Sequence, residues 1–189
     1  MLQRSILFLF LTSLWICPAA RADVGLVYNS GGVDHFRIQI PDGWKVNVGI
    51  EPDPGARTEQ GWILPRLVTA MPDDAMPLWF AFWVPPDVAT IGRAKPYMDS
   101  LAPVLLDNVE VAQRTTGRLN GMPSLHVRGT GYKEDELMDF DALFVQLTDH
   151  TLAIAIYIGP HEATIRYGED LQKLIGSLQP VQQPEEVRP

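Results

Sequence analysis

Cysteine is all but absent from this chain: of 189 residues only Cys17 carries a thiol. It lies in a first segment, residues 1–22, that reads as a cleavable secretory signal peptide. One early charge, Arg4, precedes an apolar run at 6–16 broken only by Thr12 and Ser13, and after Pro18 the small residues Ala20 and Ala22 suit a signal peptidase. The run is about half of the ~20 apolar residues that a membrane-spanning helix requires. Cleavage after Ala22 leaves Asp23 as the N-terminus and no cysteine at all, which excludes disulfides, thiol catalysis and thiolate metal sites together. A lipid-bearing Cys17 would change that, but such a site wants a small residue where bulky Ile16 stands. Membrane association is therefore expected only if Cys17 is lipidated, and the expected location is periplasmic or secreted.

Positive charge is scarce as well. Fifteen Lys and Arg against 23 Asp and Glu give a net charge of −8, and losing Arg4 and Arg21 with the leader takes it to −10. So acidic a protein repels phosphate backbones, which argues against nucleic acid and anionic membrane surfaces as partners. Past the leader there is no long apolar run, no low-complexity tract and no repeat. Residues 23–180 are expected to form one domain. Residues 181–189, rich in proline and poor in apolar groups, are expected to be a flexible tail.

Motifs of chemistry are missing too. Neither Gly-x4-Gly-Lys nor Gly-x-Gly-x2-Gly is present to cradle a phosphate, and no Gly-x-Ser-x-Gly elbow is present to hold a nucleophile. The histidines His35, His126, His150 and His161 are scattered, with no His-x3-His or His-Glu-x2-His spacing. No cofactor, metal site or catalytic residue is expected.

What is present is alternation. At 35–40, Phe36, Ile38 and Ile40 point one way and His35, Arg37 and Gln39 the other, the pattern of a half-buried strand. Strands are also expected at 24–28, 44–48, 62–71 and 78–84. The last of these is apolar on both faces, so it must lie centrally under two layers. The period then changes: 93–108 reads as a helix with Tyr97, Leu101, Val104, Leu105 and Asn108 on one side. Four strands follow at 109–119, 123–132, 137–148 and 151–158, joined by short turns and most economically an antiparallel meander. Gly159-Pro160 opens a second helix whose buried stripe is expected at Ile165, Leu171, Leu174, Ile175 and Leu178. The order predicts an α+β fold, one antiparallel sheet with helices packed on it.

Three local features carry a resemblance: the strand and corner Phe36-Arg37-Ile38-Gln39-Ile40-Pro41-Asp42-Gly43-Trp44, the turn Leu119-Asn120-Gly121, and the helix after Tyr157-Ile158-Gly159-Pro160 ending near Ser177-Leu178. On these the chain resembles the PsbP/Mog1/DcrB-like superfamily over residues 33–178. The resemblance implies an α/β/α sandwich with a central antiparallel sheet, and the role of a protein-binding adaptor, folding helper or assembly factor. It brings no catalytic residues, and photosynthetic function is not implied.

Two groups of side chains are candidates for function. Asp139 and Asp141 share one side of a strand at roughly 7 Å, a spacing that acid and base chemistry can use, or else they form a solvated patch beside Glu134-Asp135-Glu136. His126 shares its strand face with Ser124, Arg128 and Thr130, too close in sequence to Ser124 for a triad. The large rings Trp79, Phe80 and Phe82 are expected in the core, whereas Trp44 and Trp62 are candidates for an apolar binding surface. The favoured function is a non-catalytic adaptor whose partner is another envelope protein. The alternative is a periplasmic hydrolase using Asp139, Asp141 and His126.

Overall fold

Tight two-residue turns set the frame of the fold. The computed structural model describes residues 23–53, 55–59, 61–74 and 76–181; the expected leader with Cys17, and 182–189 of the expected tail, lie outside the described residues. Strands β1 (Val24–Ser30) and β2 (Val33–Ile40) meet at Gly31-Gly32, both at positive φ, as the mirror-image hairpin turn demands. The same backbone recurs at Asn120-Gly121 between β6 (Asp107–Leu119) and β7 (Met122–Lys133). It appears again at Glu134-Asp135 between β7 and β8 (Glu136–Thr148). Strand β9 (Thr151–Gly159) completes the expected meander, antiparallel throughout.

The meander continues into β5 (Trp79–Trp83), β4 (Val68–Pro72) and β3 (Trp44–Val48), giving a seven-stranded sheet in the order β3-β4-β5-β9-β8-β7-β6. A second sheet, β1-β2-β10, was not foreseen. Its last strand is only Gln179–Pro180, laid against Arg37 and Phe36 of β2. Two helices complete the fold, α1 (Ala94–Leu105) and α2 (His161–Gly176).

Register divides the large sheet into two faces. On one lie Ile154, Ile156 and Ile158 of β9, Phe140 and Phe144 of β8, and Trp79 and Trp83 of β5; this face carries α1. On the other lie Ala155 and Tyr157, Asp141 and Leu143, Phe80 and Phe82. It carries α2 and the small sheet, whose Phe36 and Tyr28 stack on each other at 5.0 Å and meet Phe82 edge-on at 5.8 and 6.3 Å. Strand β5 is apolar on both sides and runs inside the sheet between β4 and β9, as its composition demands. The turn at Asn120 also has a structural task. Its Nδ2 donates to the carbonyls of Gly176 and Leu178 at 2.8 Å, satisfying acceptors that the end of α2 leaves open.

Three expectations need correction. The strand expected at 62–71 begins only at Val68. Before it Pro65 has no N–H to offer a ladder, and Arg66 is tied down in other ways: its Nε donates to the Gly49 carbonyl at 2.9 Å and its own carbonyl accepts from Tyr28 OH at 2.8 Å. The helix expected to reach 108 stops at Leu105, because Asn108 has positive φ at the start of β6. Two stripe members are exposed, Val104 at 68% and Ile165 at 70%. At about 100° per residue Ile165 lies roughly opposite Leu174 on α2, and Ala163 takes the buried place instead.

Ile156 sits at the centre of this arrangement, 2% exposed and paired to β5 on one side and β8 on the other. Ile156→Asp forces an unpaired charge beneath α1 and is expected to cost several kcal/mol, of the order of a whole domain's ~5–15 kcal/mol. A thermal melt of the purified variant checks this. A midpoint within about two degrees of wild type would mean that this face is not a core.

Candidate functional site

The polar candidates are brought onto one face of the sheet by the β7–β8 register, which sets Arg128 opposite Asp141 and Thr130 opposite Asp139. Asp141 is 4% exposed, so the solvated patch expected there does not exist at this position. Its carboxylate is held on both sides: Arg128 Nε donates to Oδ2 at 2.7 Å, and His126 Nε2 meets Oδ1. A charge taken out of water needs such partners, since an isolated buried carboxylate is strongly disfavoured. Asp139, two residues earlier, turns to α2, where Oδ2 lies 2.8 Å from Nδ1 of His161 in the helix's first turn.

The three expected residues therefore share a face but belong to two separate contacts, Asp141 with Arg128 and His126, and Asp139 with His161. Ser124 makes no hydrogen bond with His126, whose Nε2 is already directed at Asp141. Sequence reasoning missed Tyr157, which the β8–β9 register sets opposite Asp141. Burial first, and the Asp141 charge second, push its phenol up to about 12, so it holds its proton at neutral pH. Its place in the row Ala153, Ala155, Tyr157, opposite the isoleucines, was the signal that could have found it. Among the described residues no group of three His, Cys, Asp or Glu side chains is arranged to hold a metal ion.

The apolar candidates are separated by the sheet. Trp44, opening β3, meets Tyr167 of α2 edge-on at 5.9 Å. Trp62 lies on the α1 side, edge-on to Tyr97 at 5.2 Å, and Tyr97 OH accepts from Trp83 Nε1 at 3.0 Å. The two tryptophans cannot contribute to one surface. Trp62 instead joins Trp79, Trp83, Leu101 and Val104 around a cleft of about 470 Å³ on one flank of α1. On the other flank a second cleft of about 430 Å³ opens between α1 and β6–β7, with Leu125, Val127, Phe140 and Ile156 among its lining. Both are of a size that small-molecule sites use.

The exposed pair makes a testable claim. The hydrogen bond that the protonated ring donates to Asp139, with the charge of that carboxylate, raises the His161 pKa above the ordinary 6.5. With the folded value above the unfolded one, the pair's contribution is fully present below about pH 6.5 and fades as pH rises through the folded pKa. An NMR titration of the His161 ring is expected to show a midpoint above 6.5 that falls back in Asp139→Asn. An unchanged midpoint in that variant would refute the pairing.

Neither a protein-family model nor a curated protein matches the sequence. Solved structures do match. The chain is similar to PsbP (CyanoP) of Synechocystis, with TM-score 0.56 and 10% identity over 89% of this chain and 99% of that one. It is similar to LpqN of Mycobacterium tuberculosis, a protein involved in cell envelope biogenesis, with TM-score 0.55 and 10% identity over 86% and 92%. A Bacteroides thetaiotaomicron structure matches at TM-score 0.55 and 10% identity; this chain covers 86% of itself in that match and half of the other chain. Likeness at such low identity speaks of backbone architecture, and on that ground, together with the antiparallel sheet and its two helices, the protein has the PsbP-like α+β fold.

Proposed function

We propose that the protein is an exported, non-catalytic adaptor or assembly factor that binds another envelope protein. One observation carries this reading: on the α2 face the ionisable candidates are engaged in ion pairs, while on the α1 face apolar surface is left open beside Trp62. Acid and base catalysis needs a group free to exchange a proton with substrate. Asp141 is buried between His126 and Arg128, and Asp139 is taken by His161, so the hydrolase reading has no free carboxylate among these residues. A protein partner needs an apolar anchor point with a polar rim, and large aromatic side chains are where binding energy concentrates. Among the described residues no helix is long and apolar enough to cross a membrane. A fold shared with LpqN is in keeping with an envelope setting.

The test is capture of a partner from the native envelope fraction by the exported protein and its variants. Trp62→Ala and Val104→Arg are expected to weaken capture at least tenfold, about 1.4 kcal/mol. Val104 is exposed, so its exchange leaves the core untouched. Asp139→Asn combined with His161→Gln is expected to capture as wild type does. Asp141 is unsuited to this test, because it is itself buried in the layer under α2 and unfolding would mimic loss of function. Loss of capture in the Asp139/His161 variant, with Val104→Arg unaffected, would overturn the proposal.

A further inference from the structure

Helix α1 is a narrow cover. Only Ala94 and Tyr97 of its twelve residues are buried, and along its β6 side the cleft of about 430 Å³ stays open. Met98 and Ala102 of the helix form one wall; Leu125, Val127, Phe140 and Ile156 belong to the sheet beneath. Polar groups stand at the margins. Asp107 and Asn108 open β6, and Arg114 lies seven residues further along the strand, roughly 20 Å away. Lys95 is already neutralised by Asp99 at 2.5 Å, one turn along α1. Arg114 makes no ion pair among the described residues, so the cleft offers one free positive charge.

We propose that this cleft binds a single long-chain carboxylate, its hydrocarbon chain along the sheet and its head on Arg114. The apolar floor suits a hydrocarbon chain, and the volume lies at the low end for ligand sites, enough for one chain. One leaflet of a bilayer is about 15 Å of hydrocarbon, so a chain of that length fits between Arg114 and Asp107. A lone guanidinium matches the charge and the two oxygens of one carboxylate. The overall acidity does not forbid an anion here, because charges beyond about 8 Å are largely screened at physiological ionic strength. The site is independent of a protein partner beside Trp62, since it lies on the other flank of α1.

The experiment is titration of the exported, delipidated protein with palmitate below its micellar range, by calorimetry, with hexadecanol and a lysophospholipid as comparisons. One palmitate per chain is expected. Arg114→Gln is expected to weaken palmitate about tenfold and leave hexadecanol unchanged, a difference that general damage to the cleft would not produce. Ala102→Phe fills the cleft and is expected to abolish both. Should that variant fail to fold, Val111→Trp serves the same purpose from a half-exposed position of β6. The proposal falls if wild type shows no saturable palmitate binding, if the filled variants bind normally, if Arg114→Gln weakens both ligands equally, or if the lysophospholipid binds tighter than palmitate.

Discussion

Everything in this fold follows from a sheet whose centre is apolar on both sides. In β9 every residue from Leu152 to Gly159 is buried, and β5 and β8 flank it with Phe80, Phe82, Phe140 and Phe144. Each such side chain contributes roughly 1.5–3 kcal/mol when removed from water, and no disulfide among the described residues adds to that. Both faces must therefore be covered. The α2 face receives sixteen residues of helix and a three-stranded sheet, tied together by Asn120, by Ser177 Oγ accepting from the Gln39 amide at 2.8 Å, and by the β2–β10 pairing. The α1 face receives twelve residues of helix. A cylinder about 10 Å wide cannot roof the span from β6 to β5, and the two flanking clefts are the consequence.

The same crowding explains the polar cluster. Once β7, β8 and β9 are in register, Asp141 falls in the row of Tyr157 and Leu143, inside the layer. A carboxylate there persists only with polar partners at hand, and Arg128 and His126 reach it from the neighbouring strand while their outer parts stay half exposed. An ion pair of this kind contributes little net stability, yet breaking it costs several kcal/mol, because the survivor is left charged and buried. Histidine, aspartate and arginine gathered in this way look like catalytic apparatus when read as a sequence. In space Asp141 accepts a hydrogen bond from Arg128 and lies against His126, with no open position between them for a substrate.

Much of the architecture was legible because its determinants are local. Alternation with period two marked the strands of the meander, and Asn120-Gly121 and Gly31-Gly32 supplied the backbone their turns require. Pairings distant in the chain were not legible. Nothing in Gln179-Pro180 announces a strand; it is one only because α2 delivers it to β2. Trp62 sits in a stretch that alternates like a strand, but Pro65 and the Arg66 contacts keep it a loop. Trp44 and Trp62 read alike as rings beside polar turns, and only the register of β3 with β4 puts the first on the α2 face. The burial of Asp141 likewise depends on three strands and a helix, and a strand read alone shows only that it shares a side with Asp139.

The asymmetry between the two faces bears on where evolution can place function without dismantling the fold. On the α2 face a new cavity would have to remove packing among Tyr28, Phe36 and Phe82, or strip Asp141 of a partner, and either loss is comparable to a large share of a domain's stability. On the α1 face the clefts already exist, and their lining is apolar without being needed to close the core. Residues such as Val104, Val111 and Arg114 there can change at little cost to stability, because each remains exposed in the folded chain. Binding surfaces arise where packing is incomplete and substitution is tolerated, and in this protein both conditions meet on either side of α1.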